Sequence, residues 1–290
     1  MQSKPFAAWL AATACLAACS QNQPETTSEP AGPVEPFVDA TQSSGLDFMH
    51  DNGLSDELYM PEIMGSGVAL FDADGDGDLD VYLVQGAALE GLDPLPSDRL
   101  FRNDLGDSTS GLKFTDITEL AGLPEGGVGM GIATGDVDSD GLVDLYITNL
   151  GPNRLLRNIG DGRFEDITMA SGTADELWSV PAAFLDIEGD GDLDLYVGNY
   201  LDFRLANHKD CFFATGVPDY CGPHSYSATP DRLFLNRGDG SFEDVTASSG
   251  VRRVPSKALG VITADFNGDE LTDFYVANDG VANQLWINQG

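Results

Sequence analysis

Four segments of this chain share an acidic pattern nine residues long, with oxygen-bearing side chains at positions 1, 3, 5 and 9. The segments are Asp72–Asp80, Asp136–Asp144, Asp186–Asp194 and Asp265–Asp273. Carboxylates packed this closely repel one another, by roughly 4 kcal/mol for two charges about 4 Å apart at an effective dielectric near 20. A hard divalent cation turns that repulsion into coordination, and Ca²⁺ accepts six to eight oxygen ligands in flexible geometry. The pattern therefore predicts bound Ca²⁺, with about four sites for the four copies.

The loops differ from an EF-hand, which needs a bidentate Glu at position 12 and a helix on either side. Position 12 is apolar in every copy: Leu83, Ile147, Val197 and Val276. Short apolar runs lie before and after each loop, for example Gly67–Phe71 and Val81–Val84. Because β-branched and aromatic runs favour strands, each loop is predicted to be a tight turn between two strands.

The predicted ligands occupy positions 1, 3, 5, 7 and 9, and position 7 contributes its main-chain carbonyl. They are Asp72, Asp74, Asp76, Asp78 and Asp80; Asp136, Asp138, Asp140, Leu142 and Asp144; Asp186, Glu188, Asp190, Asp192 and Asp194; and Asp265, Asn267, Asp269, Leu271 and Asp273. Gly at position 6 suits a left-handed bend. The fourth loop has Glu270 there and Asn267 at position 3, so it should be the weakest site. The alternative is a set of solvated Asp/Gly turns without metal.

Two further motifs recur after the loops, which makes the repeat longer than the loop itself. The first covers Asp98–Asn103, Asn153–Asn158, Asp231–Asn236 and Asn283–Asn288, and the second covers Phe114–Thr118, Phe164–Thr168 and Phe242–Thr246. Each unit is thus predicted to hold four short strands. The shortest step between loops, 50 residues, is near the period of a propeller blade. The sequence therefore predicts an all-β fold, a β-propeller with four visible repeats.

The repeat region begins and ends at different points of the repeat unit. Phe37–Thr41 is another copy of the last motif that precedes the first loop, and the fourth unit reaches Gly290 before its own copy. This offset resembles propellers in which an N-terminal strand completes the final blade. Either four blades close the ring, or the chain is the leading part of a larger propeller. The sequence favours the second.

The motifs resemble those of bacterial FG-GAP/VCBS-repeat proteins, and within these the ASPIC/UnbV group, relatives of cartilage acidic protein. The segments that carry the resemblance are Met60–Asp72, Asp231–Thr246 and the insert Cys211–Tyr226. The resemblance implies an integrin-α-like β-propeller with calcium on its loops and a role in extracellular interaction. Unlike the family, this sequence lacks the C-terminal ASPIC/UnbV segment, so no function of that segment is expected here.

The N-terminus has the features of an export signal. An apolar run from Phe6 to Leu16, too short to span a bilayer, leads into Leu16-Ala-Ala-Cys19, which resembles a lipobox. Residues 1–19 are thus predicted to be a lipoprotein signal peptide with Cys19 lipidated; the alternative is ordinary cleavage near Ala18. Residues 20–36 have the composition of a flexible linker, and residues 37–290 form the propeller. The expected location is the bacterial cell envelope, in the periplasm or on the outer surface.

The folded part contains two cysteines, Cys211 and Cys221, in a compartment that permits disulfides. A bond between them would fasten the long insert 200–230. His208 and His224 lie in the same insert and make a metal site conceivable, but exposed loop histidines are the favoured interpretation.

The charge excludes one class of partner. Formal net charge is −34, and four bound Ca²⁺ would still leave about −26. Nucleic-acid binding needs a basic footprint, and this chain has none. No catalytic motif stands out, so the favoured function is a module that binds a protein or glycan. The alternative is a propeller enzyme, a hydrolase or lyase acting on an extracellular polymer such as a glycan. Two carboxyls in a deep pocket, one with a raised pKa, would favour the enzyme.

Overall fold

Short antiparallel strands make up most of the chain, in a computed structural model that describes residues 36–91, 95–105 and 111–290. The chain divides into two units, residues 1–39 and Ala40–Gly290. Of the first unit, residues 36–39 are described and form neither strand nor helix. The predicted signal peptide, Cys19 and nearly all of the predicted linker lie outside the described residues. All the sheets belong to the second unit.

Sheets 1 and 2 are each a meander of four consecutive strands. Sheet 1 contains β1 (Val68–Phe71), β2 (Asp80–Leu83), β3 (Arg99–Asn103) and β4 (Phe114–Asp116). Sheet 2 contains β5 (Gly129–Gly135), β6 (Asp144–Asn149), β7 (Arg154–Asn158) and β8 (Phe164–Asp166). The acidic loops connect β1 to β2 and β5 to β6, which confirms that they are turns between strands.

Sheets 3 and 4 follow the same plan with one insertion and one shorter meander. Sheet 3 contains β9 (Ser179–Leu185), β10 (Asp194–Asn199), β13 (Arg232–Asn236) and β14 (Phe242–Asp244), and a separate hairpin, β11 (Cys211–Phe212) and β12 (Pro218–Asp219), lies in the insert. Within the described chain, sheet 4 has three strands: β15 (Ala258–Ala264), β16 (Asp273–Asn278) and β17 (Gln284–Trp286). The all-β class predicted from the sequence is confirmed.

A single helical turn begins at the threonine of each Phe-x-Asp-x-Thr motif, at four places in the described chain. These turns are α1 (Thr41–Ser44), α2 (Thr118–Ala121), α3 (Thr168–Ser171) and α4 (Thr246–Ser249), each ended by a left-handed glycine. The motif itself explains the turn, as α3 illustrates. The side chain of Asp166 accepts the backbone N–H of Thr168 at 3.0 Å, and the Thr168 hydroxyl accepts the N–H of Leu155 at 2.8 Å. Short 3₁₀ turns occur at Met60–Ile63, Leu205–Asn207, Pro223–Ser225 and Val251–Arg253. Within the described residues, no helix combines the length and apolar character that a membrane span requires.

The core consists of side chains packed between successive sheets. The first strands form a row in which β5 contacts β1 and β9, and β9 contacts β15. Phe71 and Leu100 of sheet 1 pack with Leu145 and Phe164 of sheet 2, and similar clusters join sheets 2 and 3 and sheets 3 and 4. Apolar residues at alternate strand positions therefore bury their side chains against the neighbouring sheet.

A tyrosine on the second strand of each sheet has a role beyond packing, which sequence reasoning missed. Its hydroxyl bonds to the side chain that opens the next motif: Tyr82 to Asp98, Tyr146 to Asn153, Tyr196 to Asp231 and Tyr275 to Asn283, at 2.7–3.2 Å. The same four side chains also accept a backbone N–H at the end of the tyrosine's strand, at 2.7–2.9 Å. Each pair thus fixes the connection between the second and third strands.

Tyr196→Phe should lower the free energy of unfolding by about 1–3 kcal/mol, because the lost hydroxyl serves a buried carboxylate. The matched control is Tyr275→Phe, whose partner Asn283 is neutral and exposed, with an expected loss below about 1 kcal/mol. Urea unfolding of both variants at pH 7.5 measures the difference. Equal losses would show that burial of the carboxylate does not set the strength of this bond.

Candidate metal centre

The backbone of each acidic loop adopts a left-handed conformation at position 6, as the sequence predicted. Gly77, Gly141 and Gly191 have φ of 90°, 89° and 93°, and Glu270 has φ of 70° at the same place in the fourth loop. A non-glycine residue is strained there. The departure of the fourth loop from the pattern therefore changes the residue but not the bend.

The aspartate at position 1 holds the loop closed around its own carboxylate. In the second loop, Asp136 accepts the backbone N–H groups of Asp140 at 3.1 Å and Gly141 at 2.9 Å. Asp72, Asp186 and Asp265 accept the N–H groups of positions 4, 5 and 6 in the same way. The side chain at position 5 accepts the backbone N–H of position 7, as Asp140 does from Leu142 at 2.8 Å. These bonds fix the main chain at position 7, where a carbonyl ligand is predicted.

The aspartate at position 9 is buried and accepts two backbone N–H groups, a role that the sequence did not reveal. Asp144 is fully buried and bonds Val137 N–H at 2.9 Å and Asn158 N–H at 2.8 Å. Asp80, Asp194 and Asp273 make the equivalent pair of bonds at 2.7–3.0 Å. Each oxygen has a second lone pair, so these bonds leave capacity for a cation. Position 9 therefore ties the loop to the third strand whether or not metal is bound.

Neighbouring loops are joined by an asparagine at or just after the end of the third strand in sheets 2, 3 and 4. The Asn236 side-chain amide donates to the carbonyls of Leu193 in its own loop region and Val137 in the preceding loop, at 3.0 and 2.8 Å. Asn158 and Asn288 bridge their own and the preceding loop in the same way. Sequence reasoning found this asparagine as a recurring motif position but not its partners, which lie 85 to 101 residues away.

Positions 1, 3 and 9 converge in the first two loops. Ligand oxygens of Asp72, Asp74 and Asp80 lie within 4.8 Å of one another, and so do those of Asp136, Asp138 and Asp144. In the second cluster, Oδ1 of Asp138 is buried and has no hydrogen-bond partner among the described residues. Buried polar atoms are nearly always satisfied. An orphaned oxygen beside two further carboxylates fits a hard cation with oxygen ligands.

The third and fourth loops are more open. The third has Glu188 at position 3, and this side chain is exposed. In the fourth, Asp265 and Asn267 are both exposed, and the Asn267 amide donates to Asp269 at 2.8 Å. A cation could not accept that N–H, so the amide would have to turn before the loop could bind metal. That the fourth loop is the weakest site stays a prediction.

Burial shapes the protonation of the position-9 carboxyls. It raises the pKa of Asp144 to about 7 and the pKa values of Asp80 and Asp194 to about 6, against the two backbone bonds that lower them. Burial, and then the neighbouring carboxylates, also raises the pKa of Asp74. The pKa of Asp138 is also raised, first by burial and then by the negative charge of Asp140. A bound cation would favour the ionised form of all these groups.

The insert carries the predicted disulfide. Cys211 and Cys221 are bonded and span the β11–β12 hairpin. Tyr220 next to it donates its hydroxyl to Glu62 at 3.0 Å, so the insert is held against the segment that precedes β1. The expectation of exposed histidines in the insert is wrong for His208, which is half-buried and packs edge-to-face on Tyr59 with ring centroids 4.8 Å apart; His224 is exposed.

Comparison with known proteins agrees with the repeat analysis. The sequence profile described as FG-GAP-like repeat matches residues 136–197 and 208–276. Cartilage acidic protein 1 from Xenopus tropicalis is 40% identical over 58 residues, and that from Homo sapiens is 41% identical over 58 residues. These alignments cover 20% of this chain and 9% of each relative, so the chain matches about a tenth of their length. The predicted resemblance to FG-GAP-repeat proteins and relatives of cartilage acidic protein is confirmed.

Two solved structures are similar over 76% of the chain. One is an Agrocybe aegerita lectin, described for its specific recognition of non-reducing terminal N-acetylglucosamine, with 16% identity, a TM-score of 0.36 and 51% of its chain covered. The other is the Photorhabdus luminescens Tc holotoxin pore, with 18% identity, a TM-score of 0.37 and 9% covered. Likenesses this distant carry no information about function.

Lowering the pH from about 8 to about 6 should stabilise the protein in calcium-free buffer. The pKa of Asp144 is about 7 in the folded state, and an unfolded aspartate titrates near 4. The folded state therefore binds the extra proton between these values, and this contribution is lost as the pH rises through 7. Urea unfolding in EGTA across this range measures the effect. The control Asp144→Asn cannot titrate and should flatten the slope; an unchanged slope would assign the pH dependence to other groups.

Proposed function

Because the chain carries FG-GAP-like repeats, we propose that it is an exported, lipid-anchored, calcium-binding β-propeller module that binds a protein or glycan outside the cytoplasm. The observation that carries this proposal is the second loop. Three of its carboxylates converge within 4.8 Å, and one buried oxygen, Oδ1 of Asp138, has no partner among the described residues. Ca²⁺ would supply the charge that this cluster lacks.

The propeller arrangement is supported by how successive sheets pack. Gly45 after α1 faces the Phe114 carbonyl of β4, with 2.8 Å between that oxygen and the position a Cβ would take. Gly122 after α2 and Gly172 after α3 face the next sheet's outer strand in the same way, at 3.7 and 3.1 Å. The turn α1 therefore leads into sheet 1 as α2 leads into sheet 2.

The outward faces of sheets 1 and 4 support a ring with further blades. Val68 and Leu70 of β1 are 60% and 61% exposed, and Ile262 of β15 is 61% exposed. Their counterparts on strands that have a neighbouring sheet, Ile132 of β5 and Ala183 of β9, are half-buried. Exposed apolar strand faces of this kind mark a contact surface. We propose that additional FG-GAP blades cover them.

The charge of the chain supports a binding partner other than nucleic acid. A net charge of −34 repels phosphate backbones and attracts basic or cation-bridged partners. Among the described carboxyl groups outside the loops, burial raises the pKa of two, Asp98 and Asp231. Both are occupied by tyrosine hydroxyls and backbone N–H groups. We therefore propose binding rather than hydrolase or lyase activity.

Calcium should raise the melting temperature by roughly 10 °C or more relative to EGTA. Extracellular calcium modules bind at around 10⁻⁴–10⁻³ M, and at tenfold excess each site adds about 1.4 kcal/mol, so four sites add on the order of 5 kcal/mol. Differential scanning calorimetry with millimolar CaCl₂ or EGTA measures the shift. An unchanged melting temperature would contradict calcium binding.

Substitutions in the loops can distinguish the stability that comes from bound metal from the stability that comes from hydrogen bonds to the backbone. Asp138→Ala should remove part of the calcium-dependent shift with little loss in EGTA. Oδ1 of Asp138 has no hydrogen-bond partner among the described residues, and Oδ2 makes a long ion pair of 3.8 Å with the partly exposed Arg157, which contributes little. Asp144→Ala should lower stability in both buffers, since two buried N–H groups lose their acceptor. Asn267→Ala is the matched control in the exposed fourth loop and should have the smallest effect. Equal losses would overturn this ranking of the loops.

Cys19→Ser should release the protein from the membrane fraction, because the lipobox thiol is the proposed acylation site. Cys15→Ser is the matched control, since that residue would be discarded with the signal peptide. Fractionation and labelling with palmitate, followed by gel electrophoresis, distinguish the two variants. Retention of label by the Cys19 variant would place the anchor elsewhere.

A further inference from the structure

A cavity of about 660 Å³ lies between sheets 2 and 3, at the strand ends away from the acidic loops. Its lining comes from residues 175–178 before β9, residues 201–205 after β10, and Thr229 and Arg232 at the start of β13. Since β9 spans seven residues, the cavity is roughly 20 Å from the third acidic loop. The volume falls within the range of about 300–1,000 Å³ for small-molecule sites.

One wall of the cavity is apolar and firmly held. Trp178 and Phe203 are 2% and 3% exposed and pack edge-to-face with ring centroids 5.8 Å apart. Tyr200 supports Trp178 at 5.0 Å, and Tyr226 supports Phe203 at 5.4 Å. The insert, closed by its disulfide, supplies three of these four rings. A ligand in this cavity would therefore meet only the small exposed parts of Trp178 and Phe203, which the surrounding rings hold in place.

Two lining side chains carry buried polar atoms that have no partner within the described residues. They are Nε1 of Trp178 and Oγ1 of Thr229, in residues only 2% and 7% exposed. Buried polar atoms are rarely left unsatisfied in native proteins. One is a donor only and the other can donate or accept, so they suit a ligand or water that offers oxygen atoms.

The charged groups around the cavity are mixed in sign. Buried Asp175 accepts from Asn199 at 2.9 Å and lies 3.4 Å from Nε of Arg232. Glu176 and Asp202 add two carboxylates. Arg204 is exposed, and no ion pair involves it within the described part of the chain. Two guanidinium groups disfavour a cation here, and three carboxylates disfavour a phosphate or other anion. The balance favours a neutral ligand.

We propose that this cavity binds a neutral saccharide residue. A sugar ring is uncharged, carries hydroxyls that both donate and accept, and has a C–H face that packs on aromatic rings. An uncharged ring suits a site that holds both carboxylates and guanidinium groups, and its hydroxyls suit the two unpaired atoms. Its C–H face suits the exposed ring edges of Trp178 and Phe203. This inference rests on the proposed binding function and narrows its partner to a glycan.

Titration of neutral sugars into the calcium-loaded protein tests the inference. Isothermal calorimetry and saturation-transfer NMR with glucose, galactose, mannose, N-acetylglucosamine and cellobiose should show binding of at least one at millimolar concentration. Arg204→Ala and Glu176→Ala should each weaken that binding by about tenfold or more, the loss expected for one charge-assisted hydrogen bond. Both side chains are exposed, so the variants should fold. Arg252→Ala is the matched control, because this arginine is exposed and lies outside the cavity lining.

Three outcomes would overturn the saccharide assignment: no binding of any sugar in the panel, binding of only glucuronate or inorganic phosphate, or equal binding by the Arg204 and Arg252 variants. Selective binding of a peptide by the wild type, lost in Arg204→Ala, would assign the cavity to a protein partner and would also overturn it. The calcium-dependent melting shift is measured on the same samples. A normal shift without sugar binding refutes only the saccharide, whereas an absent shift refutes the proposed calcium module itself.

Discussion

A buried aspartate that accepts two backbone N–H groups closes each acidic loop, and an asparagine amide links the second, third and fourth loops each to the loop before it. Asp194 bonds Ile187 and Asn236, and Asn236 in turn donates to Val137 in the preceding loop. A charged acceptor strengthens each bond, and burial makes the loss of either partner costly. This contact repeats from sheet to sheet, so the loops form one continuous hydrogen-bonded edge. The packing of the strands and the placement of every candidate ligand depend on it.

The same edge divides the loop positions into two roles. Position 9 is committed to the backbone in all four copies, while positions 1 and 3 bring their oxygens toward a common point in the first two. The loops are thus held in shape by bonds that need no ion, and a bound cation would add to a preformed site. Burial, and to a smaller extent the charges of Asp138 and Asp140, raises the pKa of Asp144 to about 7, and a bound cation would favour its ionised form.

The two ends of the strands serve different purposes. The loop end is built from short, repeated turns, whereas the opposite end carries the insert 200–230, the aromatic cluster around Phe203 and the cavity beside Trp178. The hydroxyl of Tyr220 reaches Glu62, which is 2% exposed, and so joins the insert to a segment 158 residues away in sequence. The regular hydrogen bonds between loops thus lie at one end of the strands, and the insert and the cavity lie at the other.

The sequence by itself determined the strands, the turns and the candidate ligands, because these depend on local patterns: alternating apolar residues, a glycine or Glu270 in the left-handed bend, and carboxylates at fixed spacing. The pairing of Cys211 with Cys221 also followed from the sequence. Only the tertiary structure decided which of these groups meet. The partners of Asn158 and Asn288 lie 85 and 101 residues away. The cavity draws Asp175, Arg204 and Thr229 from three separate segments. Local periodicity specifies which face a side chain occupies, but a contact between sheets depends on how each sheet packs on the next, and no short stretch of sequence contains that information.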